Sequence, residues 1–194
     1  MVRAVERAVV LFSHDTVHSL ACAVDLVNSG GSSVVEEGLG DLSALGDFVR
    51  RHDVSEVAAL TDADLAAVHR LRAQMRPAFL ATSSGEAAAV VNTLVSQAGV
   101  TPRLTDHDGY DWHVHYFTPG AALAEHLAID CGMALAQVVA AGEWERLRPC
   151  EAPDCQQVLV DLSRNRSKRY CDARTCGNRL HVAAYRERQR SAPS

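Results

Sequence analysis

Residues 150–179 read CEAPDCQQVLVDLSRNRSKRYCDARTCGNR, and the four cysteines in this stretch, Cys150, Cys155, Cys171 and Cys176, are spaced C-x4-C-x15-C-x4-C. Two close pairs joined by a short loop are what a tetrahedral thiolate zinc site requires. Each pair closes a small chelate turn, and the loop folds the pairs around one ion. Two disulfides, or four unrelated core thiols, are the competing readings. Arginine-rich polar sequence surrounds the cysteines, and Arg3, Glu6 and Arg7 break any signal-peptide pattern, which favours zinc and a reducing, cytoplasmic setting. Four thiolates leave no open coordination position, so one structural ion per chain is expected, with no catalysis at it.

The order of parts around the cysteines is a knuckle, a short strand at Val158 to Val160, a basic loop, a strand into Cys171, and a helix from about Cys176 to Gln189. That order is treble-clef-like, with the last ligand on the first turn of the final helix, where the positive end of the dipole favours a thiolate. So small a module has little apolar mass, and structural zinc would supply roughly 10–16 kcal/mol of apparent binding free energy toward folding it. The boundary with the preceding body falls near Trp144 to Pro149, dividing the chain into residues 1–145 and 146–190.

Charge follows the same division. Residues 146–194 hold eleven Lys or Arg against five acids, a net +6; residues 1–145 hold eight against nineteen, a net −11; the chain totals −5. A basic end on an acidic body suits a polyanion partner for the end alone. Within it, Arg164, Arg166, Lys168 and Arg169 crowd one loop, and Arg179 and Arg186 share a helical stripe seven positions apart. These six are the candidate nucleic-acid contacts, although a solvated charged face is the plainer alternative, and a basic loop alone does not distinguish DNA from RNA.

Upstream, the pattern is mainly α with one small β-hairpin. Helices are expected at about Asp15–Asn28, Leu42–Arg51, Asp62–Arg76, Ser83 or Ser84 to Ala98, and Ala121–Ala141. Thr61 and Asp64 form a capping-box pattern, and Pro77 perturbs the third helix near its end. The extended runs Pro102–Leu104 and Trp112–Phe117 flank an Asp108-Gly109 turn signal. No run is apolar enough to span a bilayer; the longest, Ala121 to Ala141, carries Glu125, His126 and Asp130.

The segments Leu147–Cys150, Asp161–Arg166, Tyr170-Cys171 and Cys176-Gly177-Asn178-Arg179 resemble the CGNR zinc-finger family. The upstream body resembles the ABATE domain, with Ala23-Val24-Asp25-Leu26-Val27-Asn28 similar to that family's first-helix LDFVNT element; Leu26 stands in place of Phe and Ser29 in place of Thr. The resemblance implies a stress-related bacterial transcription regulator whose finger binds DNA. The body is then expected to sense a small-molecule effector or to oligomerise. A homodimer fits the paired half-sites that such regulators usually read.

Elsewhere in the body, His113 and His115 share one face of a strand, and His14 and His18 lie four apart at the start of the first helix. If these elements meet, the four imidazoles form a second metal site or an anion pocket; the plainer reading is an ordinary polar hairpin face. Asp25, set among apolar neighbours, is expected to be a satisfied structural carboxylate bonded to Asn28 or an arginine, or to line a pocket. Cys22 and Cys131 read as buried thiols. No phosphate loop, nucleophile elbow or triad stands out, so the chain is expected not to be an enzyme. Two rivals remain open from the residues: a zinc module that docks a protein, and a body performing metal-assisted chemistry at its histidines.

Overall fold

Capping residues and apolar stripes fix the helices. The computed structural model describes residues 12–31, 36–97, 99–105, 113–178 and 182. Helix α1 spans His14–Asn28 and is capped by Ser13, whose side chain accepts the Thr16 amide. Its buried stripe is Leu20, Ala23, Leu26 and Val27, while Val17 is exposed. The sequence does not select that face, because apolar residues occupy most sides of this helix.

Helix α2 spans Leu42–Arg51 and α3 spans Asp62–Met75. The Thr61–Asp64 capping box is formed in both directions. At Pro77 the chain tightens into a 3₁₀ turn, Arg76–Phe79, which ends α3 one residue before the expected point. Helix α4 covers Ser84–Ser96 with Ser83 as its cap. Arg72 of α3 reaches back to the loop after α1, donating to Glu37 through both guanidinium ends (2.5 and 2.6 Å) and to Ser29 Oγ (3.1 Å). The Arg72 hydrogen bond is the main cause that lowers the Glu37 carboxyl to about 2, against the opposing effect of burial.

Helix α5, Leu123–Ala140, is the central element and packs against α1, α3 and α4. Among the described residues it is the helix long and apolar enough to cross a membrane, but more than half of it is buried in the core. It lies close to α4 at Gly132, where a Cβ would be 3.0 Å from Val95 Cγ2. Strands β1 (Val100–Thr105) and β2 (His113–Phe117) pair antiparallel, with Leu104 opposite Val114 and an irregularity between Val100 and Arg103. The Asp108-Gly109 turn signal and Trp112 lie outside the described residues. Phe117, buried, stacks on the His126 ring of α5 at 3.5 Å between centroids.

A second hairpin follows. Strand β3, Leu147–Pro149, is not expected from sequence; it pairs antiparallel with β4, Val158–Val160, the strand that is. Three residues containing two polar or constrained side chains (Arg148, Pro149) give no strand period, and only the pairing defines β3. Leu147, Val158 and Val160 belong to the same apolar cluster as α1, α3 and α5. The hairpin is therefore packed into the helical body.

Asn28, the last residue of α1, fastens it. Its Nδ2 donates to Val158 O (2.9 Å), its Oδ1 accepts from Val158 N (2.7 Å), and its own carbonyl accepts from Gln157 Nε2 (3.2 Å). One side-chain amide thus satisfies both backbone groups of Val158, which face away from the partner strand β3. Asn28→Ala should lower unfolding stability by about 2 kcal/mol, because it strands a buried-edge donor and acceptor together; urea titration of the zinc-loaded protein measures this.

Candidate metal centre and nucleic-acid interface

The first cysteine pair sits on the knuckle between β3 and β4. The Cys150 amide donates to Gln157 O (2.9 Å) and the Cys155 amide to Ala152 O (3.0 Å), closing the turn that aims both sulfurs inward. The second pair is brought up by the return of the basic loop: the Glu151 amide bonds Arg169 O (3.0 Å), and the Cys171 amide donates to Cys150 Sγ (3.3 Å). No strand leads into Cys171, contrary to expectation. Cys176 rides on a wide helical turn, Ala173–Gly177, stabilised by the Gly177 amide to Asp172 O (3.1 Å) and the Thr175 amide to Asp172 Oδ1 (2.7 Å).

All four Sγ atoms lie within 4.8 Å of one another. Cys155 to Cys171 and Cys171 to Cys176 are both 3.7 Å. A sulfur tetrahedron with bonds of about 2.3 Å has edges of about 3.8 Å, whereas a disulfide holds its sulfurs at about 2.05 Å. The set fits zinc and not two disulfides. Burial and the neighbouring sulfurs push the Cys171 thiol far up, and burial raises Cys155. For Cys150 burial acts the same way, but the amides of Ala152 and Cys171 outweigh it and lower the thiol. Four thiolates this close repel one another unless a dication sits among them, which is the role of the structural Zn²⁺.

The basic loop is organised around Asp161, which is fully buried. Its Oδ1 accepts from the Ser163 amide (2.9 Å) and hydroxyl (2.5 Å); its Oδ2 accepts from Arg148 (2.6 Å) and the Lys168 amide (2.9 Å). Burial works to raise this carboxyl, but those donors outweigh it and hold it below the usual carboxylate range. Two arginines tie down the loop's carbonyls. Buried Arg146 donates to Asp161 O (2.7 Å) and Ser163 O (2.9 Å), and Arg148 donates to Arg166 O (3.4 Å) and Lys168 O. The backbone of residues 161–168 is thereby fixed, and residues 164–168 are exposed on its outer side.

The candidate contacts divide into three groups. Arg164 and Lys168 are exposed, and their side chains make no hydrogen bond or ion pair among the described residues. Arg166, at a left-handed φ of 50°, reaches the body and pairs with Glu143 (2.8 Å) and Glu145 (3.3 Å). Arg169 pairs with Glu151 (2.6 Å) and lies over the Tyr170 ring. Arg179 and Arg186 lie outside the described residues. Sequence reasoning misses Arg146 and Arg148, whose positions among apolar and proline neighbours at the domain boundary give no signal of their role.

In the body, His14, His18 and His115 line one cavity of about 310 Å³ between α1, α5, β2 and the segment after α2. The His113 side chain lies outside the described residues. Two histidines not singled out from sequence, His52 and His126, join the cavity wall. His18 Nε2 is 2.8 Å from His52 O, and His126 pairs with Asp130 (3.0 Å) one turn along α5. Asp25 is half exposed and lies 3.2 Å from His52 Nε2, so its partner is a histidine and not Asn28 or an arginine. Cys22 and Cys131 are buried as expected; contact with Cys22, together with burial, pushes the Cys131 thiol up. Among the described residues, the group of three or more His, Cys, Asp or Glu side chains within ligand distance is the cysteine quartet.

Metal analysis of the purified protein should return one zinc per chain, and Cys171→Ser should return none. Asp161→Asn should leave the zinc stoichiometry intact but cost roughly 3 kcal/mol in chemical unfolding. Its new amide would present a donor to Arg148 or to the Lys168 amide, where only an acceptor fits.

Two family models match the chain. The ABATE model, described as "Putative stress-induced transcription regulator", covers residues 20–142, and the CGNR zinc finger model covers residues 146–189. No curated protein matches it. With a match across most of its helices and another across its cysteine quartet, the chain belongs to the ABATE family and carries a CGNR zinc finger.

Proposed function

We propose that this protein is a DNA-binding transcription regulator in which residues 146–190 contact the nucleic acid and residues 1–145 sense an effector or form a homodimer. The observation that carries the reading is the fixed loop after β4. Its backbone is held by Asp161, Arg146 and Arg148, while Arg164 and Lys168 stand exposed and without partners among the described residues. Preorganised cations on a rigid backbone contact phosphates at little entropic cost, and phosphate contacts dominate affinity for DNA.

Arg166 and Arg169 join that surface by exchanging carboxylates for phosphates. For Arg166 the exchange releases Glu143 and Glu145 of the body. The acidic body keeps non-specific attraction low, so the affinity has to come from this loop and the basic residues that follow it in the sequence. A second reading has one observation in its favour: Arg166 and Arg169 already meet carboxylates within the chain, as they would on an acidic protein partner.

The test is binding of the zinc-loaded protein to fragments of its own genome, in moderate salt with competitor DNA. Recovery of discrete sites is expected. Arg164→Ala/Lys168→Ala should weaken binding and reduce the slope of log affinity against log salt by about 2, near 0.9 for each phosphate no longer neutralised. Absence of retention on any fragment would reject the regulator reading in favour of protein docking.

A further inference from the structure

Two thiols of the helical body stand outside the zinc site. Cys22 of α1 and Cys131 of α5 are both free, and both form part of the wall of the cavity of about 310 Å³. Packing brings them to one level. Thr16 Oγ1 donates to Gln137 Oε1 (2.8 Å), which ties the start of α1 to the end of α5. Cys22 stands six residues beyond Thr16, and Cys131 six residues before Gln137. Six residues rise about 9 Å in either helix, so the antiparallel pair carries the two cysteines at the same height. Their side chains are in contact, with a hydrogen bond between the thiols.

A buried thiol standing alone is an ordinary core residue. Two in contact on a cavity wall are a dithiol, which can give up two electrons by forming one bond. The surroundings decide which sulfur reacts first. Contact with Cys22, burial and the adjacent Asp130 carboxylate all push the Cys131 thiol up, so Cys131 keeps its proton. Cys22 is then the sulfur that ionises and attacks, and Cys131 the one that resolves.

We propose that Cys22 and Cys131 form a redox-active dithiol that a hydroperoxide converts to a disulfide between α1 and α5. Cys22 gives its proton to solvent in the cavity, and its thiolate attacks the terminal peroxide oxygen. The O–O bond breaks, leaving a Cys22 sulfenic acid and an alkoxide or hydroxide that takes up the released proton. The Cys131 sulfur then attacks the sulfenic sulfur. The S–O bond breaks, and hydroxide leaves as water with the Cys131 proton. Both thiols are thereby oxidised to one disulfide, and the hydroperoxide is reduced to its alcohol and water. The cross-link joins the central helix to the helix whose Asn28 clasps β4, so oxidation acts on the element that reaches the zinc module.

The test treats the zinc-loaded full-length protein with a stoichiometric amount of hydrogen peroxide. Remaining thiols are alkylated, and the cysteines are mapped by mass spectrometry without reduction while a chromophoric chelator follows zinc. The expected product is a peptide pair joined through Cys22 and Cys131, formed before zinc is released and reversed by dithiothreitol. With dimedone present, Cys131→Ser should accumulate a sulfenic adduct at Cys22, and Cys22→Ser should carry none at Cys131. The map of the unsubstituted protein decides the matter even if either variant folds poorly.

Zinc release while Cys22 and Cys131 are still alkylated as free thiols would overturn the proposal. So would oxidation of Cys22 to a sulfinic acid with no cross-link to Cys131. No DNA enters the experiment. A cross-link in a protein that binds no operator would keep the dithiol and reject the regulator, whereas discrete operator sites without a cross-link would do the reverse.

Discussion

The carboxylate of Asp161 has to hold together a loop that repels itself. Arg164, Arg166, Lys168 and Arg169 lie within six positions, and crowded like charges favour open, solvated chain over a fixed turn. A buried anion in the middle of that turn changes the balance. Its own desolvation is costly, but four donors on two oxygens offset the cost, and two of them are backbone amides that belong to the loop itself. The loop can then stay basic on its outside because it is anchored to a negative charge on its inside. Zinc fixes the ends of the same segment, through Cys155 and Cys171, so metal and carboxylate constrain one stretch of chain from two directions.

Much of this is legible in the sequence, for identifiable reasons. The cysteine spacing carries the metal site because chelate geometry depends on separation along the chain. The helices are legible from apolar spacing and from the local signals at Thr61 and Ser83, whereas the caps of α1 and α2 turn out to be Ser13 and Asp41, which the sequence reading does not pick out. What stays hidden depends on long-range contact. Strand β3 is defined by its partner. The roles of Arg146 and Arg148 appear only once Asp161 folds back beside them. The second half of the histidine cavity, His52 and His126, comes from a helix end and a helix interior with no shared spacing. Arg166 shows the same limit from another side: its charge is readable, but its pairing with Glu143 and Glu145, twenty or so positions away, is not.

Helix α1 connects the two candidate sites physically. His14, His18 and Cys22 line the cavity along its first nine residues, and Asn28 at its far end grips β4. Fifteen residues of α-helix measure about 22 Å, and a helix capped at one end and clamped at the other moves largely as a rigid rod. The route between cavity and zinc module is thus a single secondary element with no loop in between.

The shared apolar cluster has an evolutionary consequence. Zinc modules that fold around their ion alone can be exchanged between proteins as independent cassettes. This one presents Leu147, Val158 and Val160 to helices of its neighbour and borrows a side-chain amide to close its strand edge. A recombination event that moved it would have to supply a matching apolar groove and an amide at the right height. Such a requirement couples the two sides of the seam, so that a change of volume or polarity on one side alters the packing of the other.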